Sequence, residues 1–380
     1  MMPDSLACAR NRASSHLNCQ ARPPVPLPSA TRRGVGPVRL AAWLVLLTSA
    51  LLTGCEPTPP QVAELLGQTM GTSYSIKLSP APDETMRTEL KQEIEQRLDA
   101  INAQMSTYLP DSDLMRFNRT LSTDWQQLPP PVVGLVEQAK RISQLTGGRY
   151  DISVGPLVNL WGFGNSGDRN TPPSQQEIDE VMKQVGYRQL DSRRTPPALR
   201  KSIAGLQIDL SSIAKGWAVD EIAALLRAKG IMNFLVEIGG ELRAQGEKAP
   251  GRPWRIAIER PSYDTRSVQR VIALNDIAMA TSGDYRNFFT DDKRMYSHTI
   301  DPATGRPVEH RLASVTVLAE NCAAADAWAT ALLALGDQQA PGLADSQNLK
   351  ALFIIRSAEG LVEKTSRALS ESAVLSNGCS

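Results

Sequence analysis

The segment that decides the fold runs from Ile208 to Gly240 and reads IDLSSIAKGWAVDEIAALLRAKGIMNFLVEIGG. Residues 208–210, at the beginning of this segment, are predicted to be the end of a short strand. Two serines that can cap a helix follow them. Apolar residues then recur at helical spacing up to Gly230, a typical stop, and an apolar run of strand length ends in two glycines. The segment therefore predicts a strand, a helix and a second strand.

The first corner of this unit gathers a carboxylate, two hydroxyls and a lysine, at Asp209, Ser211, Ser212 and Lys215. Backbone N–H groups at a helix start have no partner within the helix, so such a corner can bind an anion. The same pattern is also typical of a capped helix in an α/β core that binds nothing. The segment alone leaves both interpretations open.

The N-terminal region differs in composition from the rest of the chain. Three arginines precede an apolar run that is too short to cross a membrane comfortably, and the run ends in Leu-Thr-Gly-Cys. This order is typical of a bacterial lipoprotein, which is cleaved before a lipid-carrying cysteine. We predict a signal peptide over residues 1–54. This region is unusually long for a signal peptide, and we expect the true translation start to lie downstream of Met1. We also predict a lipid anchor on Cys55 and a proline-rich tether over residues 55–66.

The chain after the predicted signal peptide is mildly acidic, because residues 1–54 hold six of the 41 Lys and Arg but one of the 40 Asp and Glu, and the body of the protein is assigned to residues 67–380. That balance argues against nucleic acid as a partner. The body is long enough for one large domain or two interlocked ones. Of its two cysteines, Cys322 and Cys379, neither has metal-binding spacing, and a disulfide between them stays open.

Three further segments have polar or aromatic residues that chemistry can use. Gly71, at the start of a strand predicted over residues 68–78, makes a bulge or lets a ligand approach the backbone. Asp111 either contributes to a metal site or, as we prefer, caps the next helix. The Trp-Gly-Phe-Gly run at residues 161–164 is either a stacking wall for a planar ring or a packed loop.

Asp326 and Thr330 lie four residues apart on a predicted Ala-rich helix, so both oxygens lie on one helical face. A buried Asp needs a cation or hydrogen-bond donors. A carboxylate with a hydroxyl suits Mg²⁺ or Ca²⁺, although the residues alone favour a hydrogen-bonded Asp without a metal. His298 lies in a polar corner rather than on an apolar face, which favours chemistry over the structural role usual for a lone histidine.

Eight segments resemble, in order, the ApbE family of FAD:protein FMN transferases. They are Thr69–Thr72, Ser106–Tyr108, Arg149–Gly164, Asp209–Asp220, Ile238–Gly240, Ala280–Tyr285, Ser297–Pro307 and the residues around Asp326. The resemblance implies an α+β fold related to the T-fold, with two interlocked halves of sheet and helix and the flavin nucleotide between them.

The implied reaction is Mg²⁺-dependent: the pyrophosphate of FAD is cleaved, AMP leaves, and FMN is joined to a Thr hydroxyl of an acceptor protein. The implied acceptors are flavin-carrying subunits of membrane redox complexes of the Rnf and Nqr type. A Mg²⁺-dependent FAD pyrophosphatase and a non-catalytic FAD-binding lipoprotein are the alternatives. The implied location is the periplasmic face of the bacterial inner membrane. The protein would be held there by the lipid on Cys55, which includes palmitate.

The resemblance also assigns roles to single residues of this chain. The implied metal ligands are the carbonyl of Ser212 and the side chains of Asp326 and Thr330, whereas Ala329 stands where some members have an Asp. His298 is the implied general base, with Asp301 as its orienting group or alternate. The implied FAD-binding residues are Met70, Tyr108, Arg149, Tyr150, Asp151, Asp209, Lys215 and Ile300.

Overall fold

The computed structural model describes residues 60–164, 169, 171–262, 265–285, 288–291, 294–372 and 374. The predicted signal peptide, Cys55 and Cys379 lie outside these ranges. Inside them, no helix combines the length and the apolar character that a membrane crossing requires. The first strand begins at Ala63, so regular structure starts within the stretch predicted as a tether.

An eight-stranded antiparallel sheet in the order β1-β2-β6-β7-β11-β16-β17-β18 lies at the centre of the fold. Its strands are Ala63–Thr69 (β1), Thr72–Leu78 (β2), Phe234–Ile238 (β6), Glu241–Gln245 (β7), Ile277–Gly283 (β11), Leu312–Ala319 (β16), Lys350–Ser357 (β17) and Gly360–Thr365 (β18). The shorter pairings use Gln126–Gln127 (β3), Leu190–Arg194 (β4), Pro197–Lys201 (β5), Glu247–Ala249 (β8), Arg252–Glu259 (β9), Val268–Leu274 (β10), Phe288–Asp291 (β12), Arg294–Ser297 (β13), Ile300–Asp301 (β14) and Arg306–Pro307 (β15).

The helices are Glu84–Met105 (α1), Asp113–Arg119 (α2), Pro130–Leu145 (α3), Gly155–Leu160 (α4), Gln175–Met182 (α5), Ala214–Ala228 (α6), Cys322–Ser346 (α7, interrupted at Gly336) and Arg367–Ser370 (α8). Helices α1, α2, α3, α6 and α7 cover one face of the sheet. Alternate strand residues face these five helices and form the main core with them. The other sheet face packs against β9, β10 and α8 in a second core.

The sheet divides into two halves that meet where β7 pairs with β11. Helices α1 and α6 pack on the first half, and α7 packs on the second. The N-terminal turns of α6 and α7 are in close contact, because a Cβ on Gly216 would lie 2.3 Å from the Cys322 carbonyl oxygen. The predicted α+β class is therefore confirmed, and the helix starts from both halves lie side by side.

Two local predictions around the deciding segment are wrong. Residues 208–210 form no strand, because the Asn118 side chain bonds both the N–H and the carbonyl of Ile208, each at 2.8 Å. The serines do not cap α6, which begins at Ala214. The Asp326 carboxylate instead accepts the N–H of Gly216 at 3.0 Å. In both cases, a side chain distant in sequence supplies the hydrogen bonds.

Other predictions near the cleft also needed correction. Residues 68–78 are not one strand, because Met70 and Gly71 adopt φ angles of 51° and 73° and turn the chain between β1 and β2. Asp111 does not cap α2, since the Ser112 hydroxyl accepts the N–H of Met115 at 3.0 Å. The tight turn from Met70 to Gly71 places the hairpin end beside Gly239, whose N–H donates to the Ser73 carbonyl at 3.1 Å.

Candidate active site

A cleft of about 540 Å³ is lined by residues from both halves of the fold. Its lining includes most of the predicted site residues, namely Tyr108, Arg149, Tyr150, Asp151, Asp209, Ser212, Lys215, His298, Ile300, Asp326 and Thr330. Met70 and Asp301 are not part of this lining. Met70 lies in the β1–β2 turn and packs against the core, and Asp301 lies next to Pro302, which does line the cleft.

Asp326 lines the cleft and is only 2% exposed. Its Oδ2 accepts the Gly216 N–H, whereas Oδ1 lies 4.0 Å from the Lys215 ammonium. Burial raises the pKa of Asp326, and Lys215 and the Gly216 N–H oppose this rise. One carboxylate oxygen is thus used by the fold, and the other is directed at a cation.

Glu241 is a second buried carboxylate in the cleft, and it is not among the site residues predicted from the sequence. It is 4% exposed, and its Oε2 lies 3.0 Å from Lys215 Nζ. Burial raises the pKa of Glu241 above its ordinary value, with Lys215 opposing the rise and Asp326 adding to it. The available signal was its place directly after the two glycines of the Ile238–Gly240 segment, where β7 begins.

Lys215 therefore lies between two acidic side chains. Burial by itself lowers the pKa of its ammonium, but the carboxylates of Asp326 and Glu241 outweigh burial and raise it. The side chain is 27% exposed and lines the cleft. Its charge can thus meet an anionic ligand there.

Hydroxyl groups also line the cleft. The Thr330 hydroxyl lies 3.1 Å from that of Ser282, and the hydroxyls of Tyr150 and Ser212 lie 2.9 Å apart. Burial raises the pKa of Tyr150, so the phenol stays neutral at physiological pH. The predicted one-face placement of Asp326 and Thr330 is confirmed, since both line the same cleft.

Asp151 differs from Asp326 in how its oxygens are used. Its Oδ1 accepts the Ser153 N–H at 2.8 Å and the Ser153 hydroxyl at 2.7 Å, and its Oδ2 accepts the Tyr187 N–H at 2.7 Å. These bonds oppose the rise in pKa that burial causes. Asp151 therefore fixes the loop after Tyr150 at the cleft wall.

Aromatic rings form the wall that leads to His298. Phe163 lines the cleft, and its ring is 6.4 Å from the His298 ring, edge to face. Trp161 is instead buried and donates its indole N–H to the Gly305 carbonyl at 2.7 Å. Trp161 is therefore part of a packed loop, whereas Phe163 lines the cleft, and its use as a stacking wall for a planar ring stays a prediction.

Arg149 links this wall to the Asp301 turn. Its guanidinium is ion-paired with Asp301, whose other oxygen accepts the Ala303 N–H at 2.9 Å. Asp301, the predicted orienting group of His298, therefore uses one oxygen to bind Arg149 and the other to bind the backbone of its own turn. This arrangement holds Arg149 at the cleft edge, where a phosphate group can reach it.

The donor set near Asp326 fits a hard divalent cation. It offers a carboxylate oxygen without an N–H partner, the Thr330 hydroxyl and the nearby Ser212 backbone, all of them oxygen donors of the kind that Mg²⁺ prefers. Ala329 is fully buried in the core and adds no ligand. No group of three His, Cys, Asp or Glu suited to a metal occurs in the described ranges, so water and substrate oxygens would complete the shell.

An α+β body with a cleft lined by a buried carboxylate, a hydroxyl, an ammonium and an imidazole has the groups that a nucleotide-dependent group-transfer protein requires. The chain belongs to the ApbE family, whose model matches residues 70–353. A FAD:protein FMN transferase of Vibrio cholerae is 45% identical over 85% of this chain and 96% of its own length. One from Escherichia coli is 38% identical, covering 83% of this chain and 93% of its own.

Solved structures agree with this assignment. The flavin transferase ApbE from Vibrio cholerae superposes with a TM-score of 0.75 at 42% identity, over 82% of this chain and 99% of that one. The ApbE protein from Thermotoga maritima superposes with a TM-score of 0.72 at 29% identity, over 82% and 98% of the two chains. The family and the fold expected from the eight motifs are therefore confirmed.

Proposed function

We propose that this chain transfers the FMN part of FAD to a Thr hydroxyl of an acceptor protein and releases AMP, with Mg²⁺ as cofactor. Flavin transfer to protein is the activity named for its relatives in the ApbE family. The observation that carries the proposal is the cleft itself, which brings a buried carboxylate–hydroxyl pair, an ammonium and an imidazole around one nucleotide-sized space.

The cation site of the proposal consists of the Ser212 carbonyl, Asp326 and Thr330. Mg²⁺ bound there would neutralise charge on the pyrophosphate and on the departing AMP. Asp326 can offer Oδ1 because the Gly216 N–H holds Oδ2 and fixes the orientation of the carboxylate. A carboxylate that is anchored in this way loses little conformational freedom when it binds a cation.

Two cationic side chains can receive the phosphates from the protein side. Lys215 presents an ammonium that its neighbours keep protonated. Arg149 presents a guanidinium that Asp301 holds at the cleft edge. Charge neutralisation from fixed groups lowers the barrier to phosphoryl transfer, because little reorganisation is needed during the reaction.

His298 is the proposed general base, because a Thr hydroxyl is a weak nucleophile until its proton is accepted. It lines the cleft beside Phe163, on the segment between β13 and β14. Phe163 and Tyr108 both line the cleft, and Tyr108 is 68% exposed. Their rings offer aromatic surface for the flavin or adenine ring. The base and the ring-binding surface therefore share one cleft.

The proposed cellular setting comes from the N-terminal sequence. The Leu-Thr-Gly-Cys pattern that ends at Cys55 predicts a lipid anchor on this cysteine. We propose that the anchor holds the enzyme at the periplasmic face of the inner membrane. Flavin-carrying subunits of Rnf- and Nqr-type redox complexes are the proposed acceptors. Metabolic labelling with radioactive palmitate, with Cys55→Ala as the control, tests the anchor.

The activity is tested by incubating the purified chain with FAD, Mg²⁺ and an Nqr-type acceptor subunit, followed by intact mass spectrometry. We expect the acceptor to gain the mass of one FMN, and EDTA to abolish the gain. His298→Ala should lower the rate by about 10²–10⁴-fold, the usual contribution of a general base. His310→Ala is the matched control, because His310 lies outside the cleft and packs beside Gly336.

Two other results would replace this proposal. AMP release without any gain of mass on the acceptor would indicate an FAD pyrophosphatase, in which water is the nucleophile. Bound FAD that stays intact in the presence of Mg²⁺ would indicate a non-catalytic carrier. Equal loss of activity in His298→Ala and His310→Ala would remove His298 from the role of base.

A further inference from the structure

Glu241 has no role in the function proposed above, although it is one of the most buried charged residues in the part of the chain that the structure describes. Its side chain is 6% exposed, and its Oε2 lies 3.0 Å from Lys215 Nζ. On the other side of that ammonium, Asp326 Oδ1 is 4.0 Å away. One lysine is thus shared unequally between two carboxylates, with the closer contact to Glu241.

The position of Glu241 is fixed by the backbone. A two-residue turn at Gly239 and Gly240, with φ angles of 62° and 104°, joins β6 to β7, and Glu241 pairs directly with Ile238. The Gly240 N–H is bound by Glu237 at 2.7 Å, which holds the turn. Lys215, by contrast, has a long side chain with four rotatable bonds, so the glutamate determines where the ammonium lies.

The alternative place for the ammonium is the cation site. A shift of about 1 Å would bring Lys215 Nζ into direct contact with Asp326 Oδ1. At that position the ammonium would neutralise the one oxygen of Asp326 that has no N–H partner. A divalent cation and the lysine would then compete for the same oxygen, and the cation would bind more weakly.

We propose that Glu241 is a positioning residue that holds the Lys215 ammonium away from Asp326 and so keeps the cation site open. This inference rests on the proposed cation site at Asp326 and Thr330. It assigns to Glu241 no contact with the metal. Its effect passes through Lys215, and removing that lysine must therefore cancel the effect of removing Glu241.

The test measures Mn²⁺ binding to the purified full-length chain by electron paramagnetic resonance, without FAD, in the native sequence and four variants. Glu241→Gln, which keeps the shape but removes the charge, should weaken Mn²⁺ binding about tenfold, equivalent to about 1.4 kcal/mol. Lys215→Met should bind at least as tightly as the native chain. The double variant Glu241→Gln with Lys215→Met should return to within about threefold of the native chain.

The fourth variant, Asp326→Asn, separates this inference from the proposed cation site. If it binds Mn²⁺ as the native chain does, the cation site itself is wrong and the inference is overturned with it. If it loses binding while Glu241→Gln binds normally, only the role of Glu241 is overturned. Weak binding that persists in the double variant would also overturn that role, because Glu241 would then act as a ligand or a structural support.

Circular dichroism of each variant checks that the fold is intact. Should Glu241→Gln fail to fold, Glu241→Asp replaces it, because the shorter side chain keeps the charge but moves it away from Lys215. The expected result is then a smaller weakening of Mn²⁺ binding, again reversed by Lys215→Met. Native-like binding in Glu241→Asp together with no effect of Lys215→Met on that variant would contradict the proposal.

Discussion

Two aspartates on neighbouring helices occupy nearly equivalent positions but differ in how their oxygens are used. Asp220 on α6 binds the start of α7, and Asp326 on α7 binds the start of α6. The two oxygens of Asp220 accept the N–H groups of Cys322 and Ala323, both at 2.9 Å. Asp326 accepts one N–H, that of Gly216, and turns its other oxygen to the cleft.

The difference separates a structural carboxylate from one with spare binding capacity. Asp220 also lies 3.7 Å from the Arg243 guanidinium, so its charge is compensated within the fold. The charge of Asp326 is met at 4.0 Å by Lys215, an ammonium that Glu241 holds more closely. Because a buried carboxylate needs partners on both oxygens, the unfilled side of Asp326 is where a cation is expected.

The largest expected effect is that of Asp326→Asn on activity. The amide oxygen can still accept the Gly216 N–H, but the negative charge that binds Mg²⁺ is lost. We expect FMN transfer to fall by about a hundredfold or more. The free energy of unfolding should change by less than about 1 kcal/mol. The AMP released in a stopped assay measures the activity, and urea denaturation measures the free energy of unfolding. Normal activity in this variant would show that Asp326, like Asp220, has only a structural role.

Asp220→Asn should give the opposite profile. The Asn side chain has one acceptor oxygen, so it can accept only one of the N–H groups of Cys322 and Ala323 well. Its NH₂ group then faces the other N–H group, which is also a donor. We expect a loss of about 2 kcal/mol in the free energy of unfolding, because a helix start loses a charged cap. Activity per folded molecule should stay within about threefold of the native chain. A stability equal to that of the native chain would show that these caps contribute nothing.

Gly216→Ala tests how closely the two helix starts are packed. An added Cβ would lie 2.3 Å from the Cys322 carbonyl oxygen and 2.8 Å from the Ala323 Cα, both backbone atoms. Overpacking of this kind costs about 1–3 kcal/mol. Thermal unfolding followed by circular dichroism measures the loss, and an unchanged melting temperature would show that the helices separate readily.

The smallest effect is expected from the matched control, Gly134→Ala. Gly134 lies inside α3, and no atom is within 4 Å of an added Cβ. Alanine is the better helix former by about 0.5–1 kcal/mol, so this variant should be slightly more stable than the native chain. Destabilisation of similar size in both glycine variants would mean that the close helix contact is not the cause of the Gly216 effect.

Features whose whole signal lies within one element could be predicted from the sequence. The helical face shared by Asp326 and Thr330 depends on local spacing, and both side chains line the cleft as predicted. The start of α5 depends equally on local spacing, because Ser174 and Glu177, three residues apart, form both hydrogen bonds of a capping box. The start of α1 is also local, because the Asp83 carboxylate accepts the Met86 N–H at 2.8 Å.

Hydrogen bonds and ion pairs between residues far apart in the chain could not be predicted from the sequence. The cap of α6 comes from Asp326, 110 residues away, and the backbone of Ile208 is held by Asn118, 90 residues away. Glu241 carried no local sign of its contact with Lys215, because that contact depends on a strand register and a tight turn. Motif resemblance identified most of the cleft residues, but it could not tell which oxygens each carboxylate leaves free.

The most direct test of the account is a calorimetric titration of Mg²⁺ into the native chain, Asp326→Asn and Asp220→Asn under identical conditions. The account predicts one binding event for the native chain and for Asp220→Asn, and none for Asp326→Asn. Binding that survives in Asp326→Asn would contradict the assignment of the cation site. Binding lost equally in both variants would contradict the division between a structural and a functional aspartate.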